Sequence, residues 1–107
     1  MDIRSEHQRS AHGLVAGAYF VPRNVLEWRA DPDSGHSDPQ LIGVAGPLIL
    51  MCAQGFQSSL AAAALQEIGI DEATDMIGGF EAWVAAGLPV VGGPGARVAS
   101  AFTLGAA

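Results

Sequence analysis

One stretch constrains this chain more than any other: Leu48-Ile49-Leu50-Met51-Cys52-Ala53-Gln54-Gly55-Phe56-Gln57-Ser58, continuing into Ser59-Leu60-Ala61-Ala62-Ala63-Ala64-Leu65. An apolar run of strand length stops at a cysteine, a short polar loop holding one glycine comes next, and an alanine-rich helix begins. A strand that feeds a helix through so short a loop belongs to an open parallel α/β sheet. The crevice beyond the C-terminal ends of such strands is where ligands bind. Cys52 is the only cysteine in the chain.

A thiol there has a physical case for reactivity. The thiolate is the nucleophile, and a helix N-terminus lowers a cysteine's pKa. If the six residues from Cys52 to Gln57 curl around the sulfur, their N–H groups converge on it as an anion nest. Gly55 supplies the conformational freedom that such a curl needs. Ser58 is placed to cap a helix over 59–68, and its hydroxyl is equally placed to donate to the sulfur. Against this stands the plain alternative of a small buried hydrophobe.

The other elements alternate in the same sense. Residues 1–4 read as the end of a short strand, and Ser5 caps a short helix to Ala11. Residues 18–21 form a brief strand ended by Pro22. A helical turn over 24–29 starts at an Asn24 cap, and residues 30–40 form a solvated loop. Residues 41–45 remain ambiguous. Residues 72–77 are a further strand, and Phe80 to Ala86 a helix closed by Gly87 and Pro89. Strands alternating with helices imply α/β with a parallel sheet. The domain is expected over 1–91, with a Gly/Ala-rich tail over 92–107.

The blocks around Cys52 resemble the rhodanese family of sulfurtransferases. Cys52, Gly55 and Ser58 match its active loop. The run Gly78-Gly79…Trp83…Gly87-Leu88-Pro89-Val90 matches a second block, and Asp2-x-Arg4…Gly13…Gly17-Ala18 a third, with Leu14 where the family usually has His. Residues 23–29 also resemble a bacterial single-domain subgroup. The resemblance implies a three-layer rhodanese-like fold, a central parallel sheet with helices on both faces, lacking the usual first helix and strand. Such a loss exposes a sheet edge and invites a homo-dimer.

The resemblance further implies sulfane-sulfur transfer through a Cys52 persulfide. The donor is thiosulfate or another persulfide, and the acceptor a thiol or cyanide. Ala53, Gln54, Gly55, Phe56, Gln57 and Ser58 are expected to bind substrate, with Asp2 and Arg4 paired beside the loop. No cofactor and no metal is implied. Many members carry a cation at the loop's sixth position, where this chain has Gln57, so a dianion must rely on neutral donors. That neutrality leaves open a binding or sulfur-carrier module with weak catalysis. It also argues against phosphatase relatives, whose phosphate-binding arginine would fall at Ser58.

Composition enters here as exclusion. All five cations are arginine against 11 acids, for a net charge of −6, which disfavours nucleic acid. One cysteine makes no internal disulfide, as suits a reducing cytoplasm. No apolar run is long enough to span a membrane. His7, His12 and His36 lack metal spacing. Trp28 and Trp83 are packing residues, with Trp28 also a candidate pocket edge. Asp71, Glu72 and Asp75 read as a solvated acidic rim.

Overall fold

Four extended segments lie side by side, all parallel, and their order in space differs from their order in sequence. The computed structural model describes residues 1–93. Strand β1 (Leu48–Leu50) pairs in parallel with β2 (Ala73–Asp75), Leu50 opposite Asp75. Asp2 forms parallel bridges to Met51 on one side and to Phe20 on the other. Main-chain bonds extend both contacts, Ile3 N–H to the Met51 carbonyl at 2.9 Å and Val21 N–H to the Asp2 carbonyl at 3.0 Å. The spatial order is therefore 19–21, 1–3, 48–51, 73–75. The segments later in the chain than 1–3 lie on its two opposite sides, which makes a topological switch point at the C-terminal ends of 1–3 and β1.

The helices are α1 (Glu6–His12), α2 (Leu26–Ala30), α3 (Pro39–Ile42), α4 (Phe56–Glu67) and α5 (Gly79–Ala85). Side chains alternate across a sheet, so residues 2, 3 and 4 report both faces. Ile3 joins Leu26, Leu41, Leu50, Ala61, Ala62 and Leu65 in one core cluster, which seats α2, α3 and α4 on its face. Ala61 and Ala62 are buried because their small side chains let α4 approach the strands closely. Asp2 and Arg4 point the other way, toward Arg9 of α1 and the ring of Phe80 in α5. Helices thus cover both faces of a parallel sheet, the layered α/β arrangement expected. That second cover is incomplete: Ile49 is 48% exposed.

Several local expectations need correction. Ser5 caps α1 with a full capping box, Gln8 returning its side chain to the Ser5 N–H at 3.1 Å. Asn24 caps nothing, because a 3₁₀ turn over Arg23–Val25 runs straight into α2. Residues 38–42 are not loop. Asp38 caps α3 by accepting from Gln40 N–H, with Pro39 at its first position, and this helix takes in the ambiguous Leu41 and Ile42. Asp38 is buried because Tyr19 Oη also donates to it. Trp28 is 58% exposed and stacks on His36, away from the site. The tail expected over 92–107 lies outside the described residues beyond Gly93.

Candidate active site

Helix α4 begins three residues earlier than its composition suggests, and this decides what Ser58 does. Gly55 is the cap, in the left-handed region at φ 95°, and Phe56 is the first helical residue. Ser58 therefore lies in the first turn rather than before it. Its side chain is fully buried and turned back toward the sulfur instead of capping the helix. The Gly55 N–H donates to Cys52 Sγ at 3.1 Å, the Ser58 N–H at 3.3 Å, and Ser58 Oγ lies 3.3 Å from it.

A second helix holds this curl from outside. The Phe80 N–H donates to the Cys52 carbonyl at 2.8 Å, and the Glu81 N–H to the Ala53 carbonyl at 3.0 Å. These are first-turn N–H groups of α5, which a helix cannot satisfy internally. With its carbonyls tied outward to α5, the loop turns its own N–H groups inward to the sulfur. The approach requires Gly78-Gly79. A Cβ on Gly79 (φ +58°) falls 2.4 Å from the Cys52 carbonyl oxygen, and one on Gly55 falls 2.9 Å from the Gly78 nitrogen.

The Cys52 thiol is 6% exposed, and burial alone pushes its pKa up. Hydrogen bonds from the Ser58 side chain and N–H, and from the Gly55 and Gln54 N–H groups, outweigh that and hold the thiol below its ordinary value. The arrangement favours a thiolate. Ser58 Oγ also lies 3.5 Å from Asp75 Oδ2, too long to compete with the sulfur for the hydroxyl proton. Asp75 is half-buried at this contact and so is no part of a solvated rim, unlike the exposed Asp71 and Glu72. Ser58→Ala removes the largest stabilising contribution to the thiolate. Its alkylation rate by iodoacetamide, measured against pH, is expected to level off at higher pH than in the parent.

Beside the loop, Asp2 and Arg4 form a buried pair. Arg4 Nε and Nη2 donate to the two carboxylate oxygens at 3.1 and 2.9 Å, and Nη2 also to the Gly13 carbonyl at 2.7 Å. Burial pushes the Asp2 carboxyl up, but the Arg4 hydrogen bonds and charge, with Arg9, bring it below its usual range. Arg4 Nη1 has no hydrogen-bond partner among the described residues. Its guanidinium instead lies 3.9 Å over the Phe80 ring, a cation–π contact.

A cleft of about 740 Å³ opens at the switch point. The loop lines it with Cys52, Ala53, Gln54, Phe56 and Gln57, while Gly55 and Ser58 lie behind, under the sulfur. The far wall comes from Ile3 to Glu6, Gln8 and Pro22 to Asn24. Sequence reasoning missed that wall, and with it Arg23 and Glu6. The signal was available: Pro22 closes a strand parallel to β1, and the residues just past the end of such a strand reach the same crevice. Among the described residues, no group of three His, Cys, Asp or Glu side chains is placed to hold a metal.

Comparison with known proteins identifies the family of this fold. The family model for the rhodanese-like domain matches residues 1–86. Over 91 residues, the chain is 43% identical to the thiosulfate sulfurtransferase GlpE of Actinobacillus succinogenes, covering 84% of this chain and 72% of that one. Among solved structures, a Rhodopseudomonas palustris protein described as a possible tyrosine phosphatase superposes with TM-score 0.79 at 32% identity. The match covers 84% of this chain and 67% of that one. A thiosulfate sulfurtransferase from Pseudomonas aeruginosa gives TM-score 0.63 at 28% identity, over 86% of this chain but only 16% of that longer one.

Proposed function

The chain belongs to the rhodanese-like domain family and is a sulfurtransferase of that type, and we propose that Cys52 carries the transferred sulfur as a persulfide. The observation that carries this reading is the sulfur held by two main-chain N–H groups at the floor of a cleft.

In the first half-reaction the Cys52 thiolate attacks the outer sulfur of thiosulfate. A new S–S bond forms on Cys52, the donor's S–S bond breaks, and sulfite leaves with the electron pair. The negative charge then sits on the outer sulfur of the persulfide, and the first-turn N–H groups of α4 stabilise it. In the second half-reaction cyanide or a thiolate takes that outer sulfur, leaving as thiocyanate or a new persulfide, and the Cys52 thiolate returns. The two steps share one site, so ping-pong kinetics are expected. Gln54, Phe56 and Gln57 would meet the substrate from the loop. Gly55 and Ser58 contribute through the sulfur, and the Asp2–Arg4 pair braces the cleft wall against Phe80 of α5. The chemistry needs a free thiol and so suits a reducing, cytoplasmic setting. No described helix is long and apolar enough to cross a membrane.

Phosphoryl transfer is the poorer reading for this chain. No cation stands between Cys52 and Ser58, and the place of a phosphate-binding arginine holds a buried serine. The test is intact-protein mass spectrometry after incubation with thiosulfate, and separately with glutathione persulfide. A gain of one sulfur, about 32 mass units, removed by cyanide, is the expected product of a covalent thiol intermediate. No adduct from either donor, with the thiol still open to alkylation, would favour a binding module instead.

A further inference from the structure

The loop is neutral, yet the cleft is not. Among the described residues, the arginines are Arg4, Arg9, Arg23 and Arg29. Arg4 also lines the cleft, but it is buried, its charge is paired with Asp2, it donates to Gly13, and its guanidinium stacks on the Phe80 ring, Nη1 alone lacking a hydrogen-bond partner among the described residues; Arg9 is held by Asp2 and the Phe20 ring, and Arg29 by His36 and Asp38. Arg23 lines the cleft opposite the Cys52 loop. Its main chain is fixed there, because its N–H donates to the Ile3 carbonyl at 3.2 Å, within the same sheet that ends in Cys52. Its side chain is 31% exposed and makes one contact, Nη1 to Glu27 Oε1 at 2.5 Å. A guanidinium has five N–H donors in a planar fork, so this contact leaves donors for an oxyanion. Glu27 is 43% exposed, and an ion pair this open is weak enough to be rearranged by a dianion.

We propose that Arg23 supplies from the opposite wall the charge that the loop lacks, binding the sulfonate end of a dianionic sulfur donor while its outer sulfur meets Cys52. This deepens the sulfurtransferase reading above and rests on it. It also revises the expectation that a dianion depends on neutral donors alone: Gln54, Gln57 and Asn24 line the same cleft and add uncharged hydrogen bonds around that cation. In a chain of net charge −6, with Glu6 on the same cleft wall, a cation there also offsets the field that repels an incoming anion.

The experiment separates binding from chemistry. Thiosulfate affinity is measured by calorimetry on Cys52→Ser protein, which binds without reacting, and again with Arg23→Gln or Arg23→Lys added. Loss of a charge-assisted partner predicts about tenfold weaker binding with Gln and most of it kept with Lys. Methanethiosulfonate, with one charge fewer, is expected to lose less than thiosulfate. In the enzyme itself, Arg23→Gln should raise KM for thiosulfate by a similar factor and change kcat little. An unchanged dissociation constant, or equal losses for both anions, overturns the proposal. Failure of the parent protein to form a persulfide would overturn the sulfurtransfer mechanism instead, and the two results are read from different measurements.

Discussion

Cys52→Ser is expected to abolish sulfur transfer, with thiocyanate formation from thiosulfate and cyanide falling by at least about a thousandfold. A serine hydroxyl forms no persulfide, and its proton stays on at neutral pH. The fold should survive. The hydroxyl is nearly isosteric and can accept the Gly55 and Ser58 N–H groups that the sulfur accepts, so the change in stability is expected to stay within about 1 kcal/mol. Circular dichroism and thermal melting beside the activity assay check both halves. Residual transfer with the fold intact would mean that the sulfur travels by another route.

Gly79→Ala is expected to damage fold and site together. The added Cβ meets the Cys52 carbonyl oxygen at 2.4 Å, the Ala53 carbonyl carbon at 2.9 Å and the Gly55 nitrogen at 2.9 Å. None of these is a flexible side-chain end; all are backbone of the active loop. The left-handed φ of 58° adds a further cost for a residue with a Cβ. Overpacking plus backbone strain costs about 2–4 kcal/mol. For a domain of this size that lowers Tm by roughly 15 °C. If α5 withdraws to relieve the clash, the Cys52 and Ala53 carbonyls lose their N–H partners, and the loop no longer aims its own N–H groups at the sulfur. The persulfide yield in mass spectrometry should then fall well below that of the parent at temperatures where both are folded. A variant that melts like the parent would show that α5 is not held against the loop as described.

The site's nucleus was legible in the sequence because it is local. Residues 48–58 carry strand, thiol, glycine and helix start within one turn of chain. The Asp2-x-Arg4 and Gly78-Gly79 blocks could be matched to a family pattern, but their physical task could not be read from spacing. Gly78 and Gly79 look like turn residues, and only the packing of α5 on the loop shows why no side chain fits at 79. The Asn24 cap failed for a comparable reason. The sequence offers a good capping residue, but the chain leaves Pro22 already turning as a 3₁₀ helix, so position 24 is inside the turn. For Ser58 the sequence offered two roles, and the structure takes the second: the helix starts before it, so its hydroxyl meets the buried sulfur rather than capping.

The sequence by itself determined the layered α/β class, the thiol at a strand's end and the glycine that lets the loop curl. Each stems from residues a few positions apart, where period, propensity and φ freedom act directly. Only the tertiary structure decided how that thiol is charged and what faces it. The carbonyls of the loop are bound by a helix that starts 27 residues after Cys52. The Arg23 cation on the cleft wall comes from the end of a different strand, 29 residues before it. Hydrogen bonds and charges act through space at a few ångströms, so the partners that tune a group are set by strand order. That order is fixed by which apolar faces can be buried together, a property of the whole sheet.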